Sequence, residues 1–317
     1  MMPAEPHQRF ADVSCPVCGS HDAKTLRPSS YPPEIGLAEL RSMYRASSDH
    51  ALMDQVVECR ICRMVYLCPR LDASLIQGGY EEVEDPRFVA QNPQRIQTFK
   101  QSLQSILKRT GLDTKGKRLL DIGCAGGACL VAARDLGFIV EGIEPSRWLS
   151  AYARSEYGLN VRQGILTPGV YPEKSFDVIS LWDVLEHVPE PHDILTLMRS
   201  LLKPDGYLWL NYPNIGSLAA KTMGWRWPFW LSVHLHYYRP HSIRRQVEQA
   251  GFEVLYSRPH WQQLQLGYLM ERASNLVSPF RLVGKGVDAL GLSAVPFTYN
   301  MGQTLVICRL ARPQTND

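Results

Sequence analysis

Two groups of residues in this chain have the types and spacing to do chemistry. The first is Asp121, Gly123, Ala125, Gly126 and Gly127 in "DIGCAGG", followed by Glu144 in "FIVEGIE". A glycine turn that opens a helix offers free backbone N–H groups and the positive end of the helix dipole to a negative ligand group. A carboxylate 23 residues after Asp121 is placed to accept two ribose hydroxyls. The pair suits a nucleoside-bearing cofactor, and a lone glycine turn by itself leaves a dinucleotide open. The second group is Cys15 and Cys18 in "CPVCG" with Cys59 and Cys62 in "ECRICRMVYLCPR". Two Cys-x-x-Cys knuckles can close a tetrahedral structural Zn²⁺ site with no open coordination position, although the 40 intervening residues exceed the usual spacing.

The elements that must position these residues follow from periodicity. Short apolar strands are predicted at 118–123, 138–144, 159–164, 176–181 and 206–213, alternating with helices at 128–136, 146–156, 190–202 and 240–250, after a polar helix at about 94–110. Strand–helix alternation of this kind implies a parallel sheet covered on both faces, with ligands at the carboxyl ends of its strands. The fold class is therefore α/β and Rossmann-like. A zinc-binding lobe is expected at 1–80 and the main domain at 81–317. Segments 252–260 and 304–310 read as the last two strands. The connection between them is too long to be featureless, and a helical insertion is expected at about 261–300. Leu266, Leu269, Met270, Ala273, Leu276, Val277 and Phe280 form its apolar stripe.

A dinucleotide fingerprint needs a second glycine where Ala125 stands, so that pattern fails. Instead "DIGCAGG", Glu144, "SFDVISLWDVLEHVPEP" and "LLKPDGYLWLNYPN" resemble, in order, class I S-adenosylmethionine-dependent methyltransferases over about 115–260. The resemblance implies an antiparallel last strand and S-adenosylmethionine as cofactor. It places Asp121 near the methionine ammonium, Gly123, Ala125, Gly126 and Gly127 at the carboxylate, and Glu144 on the ribose. Ile165 is at the adenine, as an apolar residue where many members have Asp, and Trp182 is counted among the cofactor contacts. The cysteine segment and "HLHYYRPHSIRRQVEQAGF" are similar to a bacterial group acting on natural products, sugars or cell-surface polymers.

Methyl transfer to a hydroxyl or carbon acid needs a proton acceptor near the methyl group. Asp183, His187, His234, His236, Tyr237 and Tyr238 follow the fourth and fifth strands; His234 is the expected base and His187 the second catalytic candidate. The aromatic loop 223–234, "MGWRWPFWLSVH", and the insertion are expected to enclose the acceptor, a small molecule or a glycan- or lipid-linked precursor.

Bulk properties narrow the alternatives. With 21% charged residues and a formal net charge of +3, nucleic acid is not an expected partner. An RNA methyltransferase using the zinc lobe as its grip, and a cofactor-binding subunit without turnover, are the competing readings. No segment has the apolar core of a signal peptide or the roughly 18-residue apolar run of a spanning helix, so the expected address is the cytoplasm. The insertion's stripe could also serve peripheral membrane contact. Cys68, Cys124, Cys129 and Cys308 read as buried small hydrophobes.

Overall fold

The computed structural model describes residues 10–32, 35–36, 39–40, 52–72, 76, 80–276 and 280–311. Five short strands come first: β1 (Phe10–Ala11), β2 (Ala23–Arg27), β3 (Val56–Cys59), β4 (Val65–Leu67) and β5 (Arg70–Leu71). Helices α1 (Pro86–Val89) and α2 (Asn92–Thr110) follow; α2 stops where Gly111 takes a left-handed φ of 68°. The main body then alternates β6 (Arg118–Ile122), α3 (Ala128–Asp135), β7 (Ile139–Glu144), α4 (Arg147–Tyr157), β8 (Val161–Gln163), β9 (Phe176–Trp182), α5 (Pro191–Leu201) and β10 (Leu202–Pro213). The remainder is α6 (Leu218–Met223), β11 (His236–Tyr237), α7 (Pro240–Gln249), β12 (Phe252–Pro259), β13 (Gln262–Gln265), α8 (Leu266–Leu276), α9 (Phe280–Ala289), β14 (Pro296–Tyr299) and β15 (Gln303–Leu310).

The central sheet has the order β12-β15-β10-β9-β6-β7-β8. Strands β6 to β10 pair in parallel, while β15 runs antiparallel between β10 and β12. The parallel part is the sheet that the alternation predicts, and the antiparallel last strand is the one that the resemblance implies. All seven residues of β9 are buried, as expected for a strand covered on both faces. The order reverses between β6 and β9, so the carboxyl ends of these strands open onto a switch-point crevice.

Two elements depart from the predicted boundaries. Strand β10 begins at Leu202, with its register against β9 shifted between Leu202 and Tyr207. The insertion is not helical from its start, because Gln262–Gln265 is drawn into a strand by antiparallel pairing with Pro296–Tyr299. The Gln263 N–H donates to Thr98 Oγ1 at 2.8 Å and the Gln265 N–H to Gln91 Oε1 at 3.1 Å. These partners are remote in sequence, which local periodicity cannot register. The expected stripe residue Val277 and the side chains of Leu276 and Phe280 lie outside the described residues.

The amino-terminal lobe is tied into the main body. Its sheet has the order β11-β4-β3-β2, so the strand at His236–Tyr237 completes it from the far side of residue 80. Cys15, Val17, Met64 and Tyr66 pack in one apolar cluster with Leu181, Leu185 and Tyr238. No helix among the described residues is long and apolar enough to cross a membrane.

Candidate functional site

The carboxyl ends of β6, β7 and β9 open into a cavity of about 1110 Å³. Its floor is the predicted glycine turn. Gly123 has a φ of 67°, and a Cβ there would come within 2.7 Å of the Val184 side chain. The close approach of the β9–α5 connection therefore requires glycine. Ala125 occupies the left-handed region with a φ of 46°, which costs an alanine on the order of 1 kcal/mol. Gly126 is required by packing, since a Cβ would meet Val89 at 2.8 Å.

Gly127 departs from its expected role. It does not line the cavity; it caps α3 with a φ of 81°, and a Cβ would lie 2.5 Å from Leu159. Its glycine serves the joint between α3 and the segment before β8, so it leaves the set of cofactor contacts.

Glu144 is 6% exposed. Its two carboxylate oxygens accept the Ala125 N–H at 2.8 Å and the Ser146 N–H at 2.9 Å. These bonds leave further acceptor lone pairs toward the cavity. Asp121 accepts from Ser180 Oγ at 2.6 Å. Burial pushes both carboxyls up to about 7, which a ligand offering a cation and hydroxyl donors would reverse. A nucleoside with an amino-acid arm fits that demand. Ile165, 42% exposed, and Trp182 both line the cavity. Trp182 packs edge-on to Phe99 with ring centroids 5.0 Å apart, and its indole N–H has no nitrogen or oxygen partner among the described residues.

At the other end stand His187 and His234, with ring centroids 4.7 Å apart. His187 Nδ1 lies 2.8 Å from the Val233 carbonyl and 2.8 Å from the Tyr80 hydroxyl; His234 Nδ1 lies 2.8 Å from the Phe229 carbonyl. A carbonyl only accepts, so each Nδ1 carries the proton and each Nε2 keeps a lone pair. Burial drives His187 down to about 4 and His234 well below its ordinary value, so both rings are neutral at pH 7.

Asp183 also lines the cavity, at a left-handed φ of 54°. Its carboxylate accepts from Asn211 Nδ2 at 2.9 Å and from Gln303 Nε2 at 3.1 Å. The other three candidates are structural. His236, Tyr237 and Tyr238 are buried in the seam between lobe and sheet and do not reach the cavity. His236 Nε2 lies 3.0 Å from the Val188 carbonyl, and the Tyr237 hydroxyl donates to the Leu231 carbonyl at 2.8 Å. Pairing of His236–Tyr237 with Val65–Tyr66 fixes their direction.

The roof comes from the insertion. Tyr268, Leu269, Met270 and Ala273 of α8 line the cavity, as does Phe297 of β14. From the aromatic loop, Phe229 reaches the cavity and stacks on His234 at 6.2 Å. Trp227 is buried as a wedge, its indole N–H donating to the Met301 carbonyl at 2.6 Å. Sequence reading missed Asn92, Arg95 and Phe99 of α2, together with His260, Gln262 and Gln303, all of which line the cavity. The polar residues on the inner side of α2 were the available signal.

Some 40 residues apart in sequence, the two cysteine knuckles converge. The sulfurs of Cys15 and Cys62 lie 3.4 Å apart and those of Cys18 and Cys59 3.5 Å, with all four within 4.8 Å of one another and none in a disulfide. Thiolates around one zinc sit about 3.8 Å apart, so the set fits the ion. Gly19 and Arg63 turn the chain after each pair with φ of 71° and 64°. Burial pushes Cys62 up to about 11 and Cys15 higher still, whereas Cys59, despite its burial, is held below the ordinary thiol value by hydrogen bonds from the Cys62 and Ile61 backbone and the neighbouring thiols.

Residues 92–257, just over half of the chain, match the family model described as a methyltransferase domain. Ubiquinone biosynthesis O-methyltransferase of Glaesserella parasuis serovar 5 (strain SH0165) is 35% identical over 109 residues, 31% of this chain and 46% of that protein. The enzyme of the same name from Histophilus somni (strain 2336) is 34% identical over 134 residues, 39% of this chain and 52% of its own. The chain thus spans about half the length of these curated relatives. Among solved structures, a SAM-dependent methyltransferase from Archaeoglobus fulgidus is 20% identical, covering 66% of this chain and 94% of its own, with a TM-score of 0.44. One from Mesorhizobium loti is 16% identical, covering 65% and 96%, with a TM-score of 0.44. With its matched segment spanning the glycine turn, Glu144 and both cavity histidines, the chain belongs to the methyltransferase-domain family.

Proposed function

We propose that the protein transfers a methyl group from S-adenosylmethionine to a small, largely apolar acceptor, through an oxygen or carbon nucleophile. The observation that carries this reading is a single cavity running from the Gly123–Gly126 turn and Glu144 to the His187–His234 pair. Its volume, about 1110 Å³, exceeds what one drug-sized ligand usually fills and leaves room for cofactor and acceptor together. When bound, the cofactor supplies an electrophilic methyl group on a sulfonium.

The chain's own residues do the rest. Asp121 and the turn hold the amino-acid arm, Glu144 the ribose, and Ile165 and Trp182 the flat apolar part. The roof from α8 and β14 excludes water and aligns the acceptor opposite the departing sulfur, where orientation supplies much of the rate. His187 and His234 present lone pairs to the acceptor, with His234 the residue assigned to the nucleophile's proton. The relatives' name as O-methyltransferases supports a hydroxyl acceptor, and the apolar roof supports an aromatic or lipid-linked one.

Residues 1–80 serve as a zinc-stabilised lobe held by Cys15, Cys18, Cys59 and Cys62. The outer side of the insertion exposes Val283, Leu290, Leu292 and Val295, a face suited to peripheral contact with a membrane that stores such an acceptor. The test is calorimetric titration with S-adenosylmethionine, then assay of S-adenosylhomocysteine release against a panel of phenolic and prenylated acceptors. Absence of S-adenosylmethionine binding would overturn the reading.

A further inference from the structure

The scheme above leaves Glu186 without a role. It is 1% exposed, and neither carboxylate oxygen has a hydrogen-bond partner among the described residues. A bare buried carboxylate is costly unless a proton or a cation compensates it. Glu186 and His187 share one 3₁₀ turn, Leu185–His187. His234 is fastened to that turn, because the Leu235 N–H donates to the Glu186 carbonyl at 2.8 Å. As a result a Glu186 oxygen and one ring nitrogen from each histidine lie within 4.8 Å of one another.

We infer that Glu186, His187 and His234 form a divalent-cation site at the acceptor end of the cavity. Ligand atoms around one first-row ion sit about 3–4 Å apart at bond lengths near 2.1 Å, so closing the site requires side-chain shifts of about an ångström. Both imidazoles are already in the form a metal needs. Each Nδ1–H is spent on a backbone carbonyl, which fixes the ring and leaves Nε2 as the ligand atom. Two imidazoles and one carboxylate suit a borderline ion such as Zn²⁺, and the carboxylate also admits the harder Mn²⁺. Three protein ligands leave positions open, and because both histidines line the cavity, those positions would be available to a water or an acceptor oxygen. That last role rests on the methyltransferase reading, and with an ion bound the His234 lone pair would hold the metal, so that the polarised water or acceptor oxygen would take its place in the proton's removal; the cation site itself does not rest on that reading.

The experiment uses the full chain with its cysteine site loaded with zinc. Mn²⁺ uptake is followed by electron paramagnetic resonance and Zn²⁺ uptake by calorimetry, with S-adenosylmethionine affinity measured separately. One further equivalent of Mn²⁺ or Zn²⁺ is expected in the wild type. The isosteric Glu186→Gln, and independently His234→Gln, should weaken it at least tenfold. Wild-type protein that takes up neither ion beyond the cysteine site overturns the inference, as does equal uptake by wild type and both variants. Loss of S-adenosylmethionine binding with cation uptake intact would instead count against the methyltransferase reading alone.

Discussion

The carboxylate of Glu144 accepts the backbone N–H of Ala125 at 2.8 Å, joining the end of β7 to the one non-glycine residue in the turn that takes a left-handed conformation. The residue proposed to bind the ribose thereby also holds in shape the turn proposed to cradle the amino-acid arm. Glu144→Ala should weaken S-adenosylmethionine binding by about 1–3 kcal/mol through loss of a charged acceptor. Titration calorimetry measures this directly, and an unchanged affinity would remove Glu144 from the cofactor site.

Both buried carboxyls give the site a pH signature. Burial lifts Asp121 and Glu144 to about 7, above the unfolded values near 4. The folded protein therefore holds these protons where the unfolded chain has released them. Their contribution to stability is complete below about pH 4 and is lost as pH rises through 7. Cofactor affinity runs the other way, since ribose hydroxyls and an ammonium seek the ionised forms. S-adenosylmethionine should bind more tightly at pH 8 than at pH 6, and Glu144→Gln should flatten that dependence. Equal wild-type affinities at the two pH values would contradict the assignment.

Gly127→Ala separates packing from ligand contact. The substitution forces a Cβ to within 2.5 Å of Leu159 at a φ of 81°. It should cost about 1–3 kcal/mol of stability, read as a lower melting temperature, with cofactor affinity in the folded fraction nearly unchanged. A selective loss of affinity at unaltered stability would restore Gly127 to the binding set.

The cysteine cluster should hold one zinc ion, and its removal should be felt at the acceptor end. Strand β4 follows Cys62 directly and pairs with His236–Tyr237, two residues from His234. Metal analysis should return a tightly held equivalent that Cys18→Ser or Cys59→Ser abolishes, with lower thermal stability and reduced turnover. Less than a tenth of an equivalent in freshly purified wild type would dismiss the metal.

His234→Ala should lower turnover by at least tenfold while leaving cofactor affinity within about twofold, because the ring faces the acceptor rather than the nucleoside. His187→Ala should be less selective, as its ring also packs edge-on to Tyr80 at 5.8 Å. Paired kinetic and binding measurements check both, and a His234 variant with full turnover would return that residue to scaffold.

Much of this was legible in the chain itself. Apolar runs alternating with amphipathic stretches determined the parallel sheet, because burial on both faces leaves that periodicity in the strands and helices. The glycines of the turn and the carboxylate at the end of β7 were legible for a similar reason, being set by local backbone geometry and fixed spacing. So were the four cysteines, whose knuckles are local turns. Tertiary structure decided what depended on partners distant in sequence. It folded Gln262–Gln265 into a strand against Pro296–Tyr299 and turned Gly127 from the ligand toward Leu159. His236 and Tyr237 went into the lobe's sheet while His234, two residues earlier, stayed on the cavity. His234 lies before that two-residue strand, in a turn closed by its N–H donating to the Leu231 carbonyl at 3.0 Å, so the division is not one of strand alternation: only the non-local pairing with Val65–Tyr66 draws His236 and Tyr237 away from the cavity.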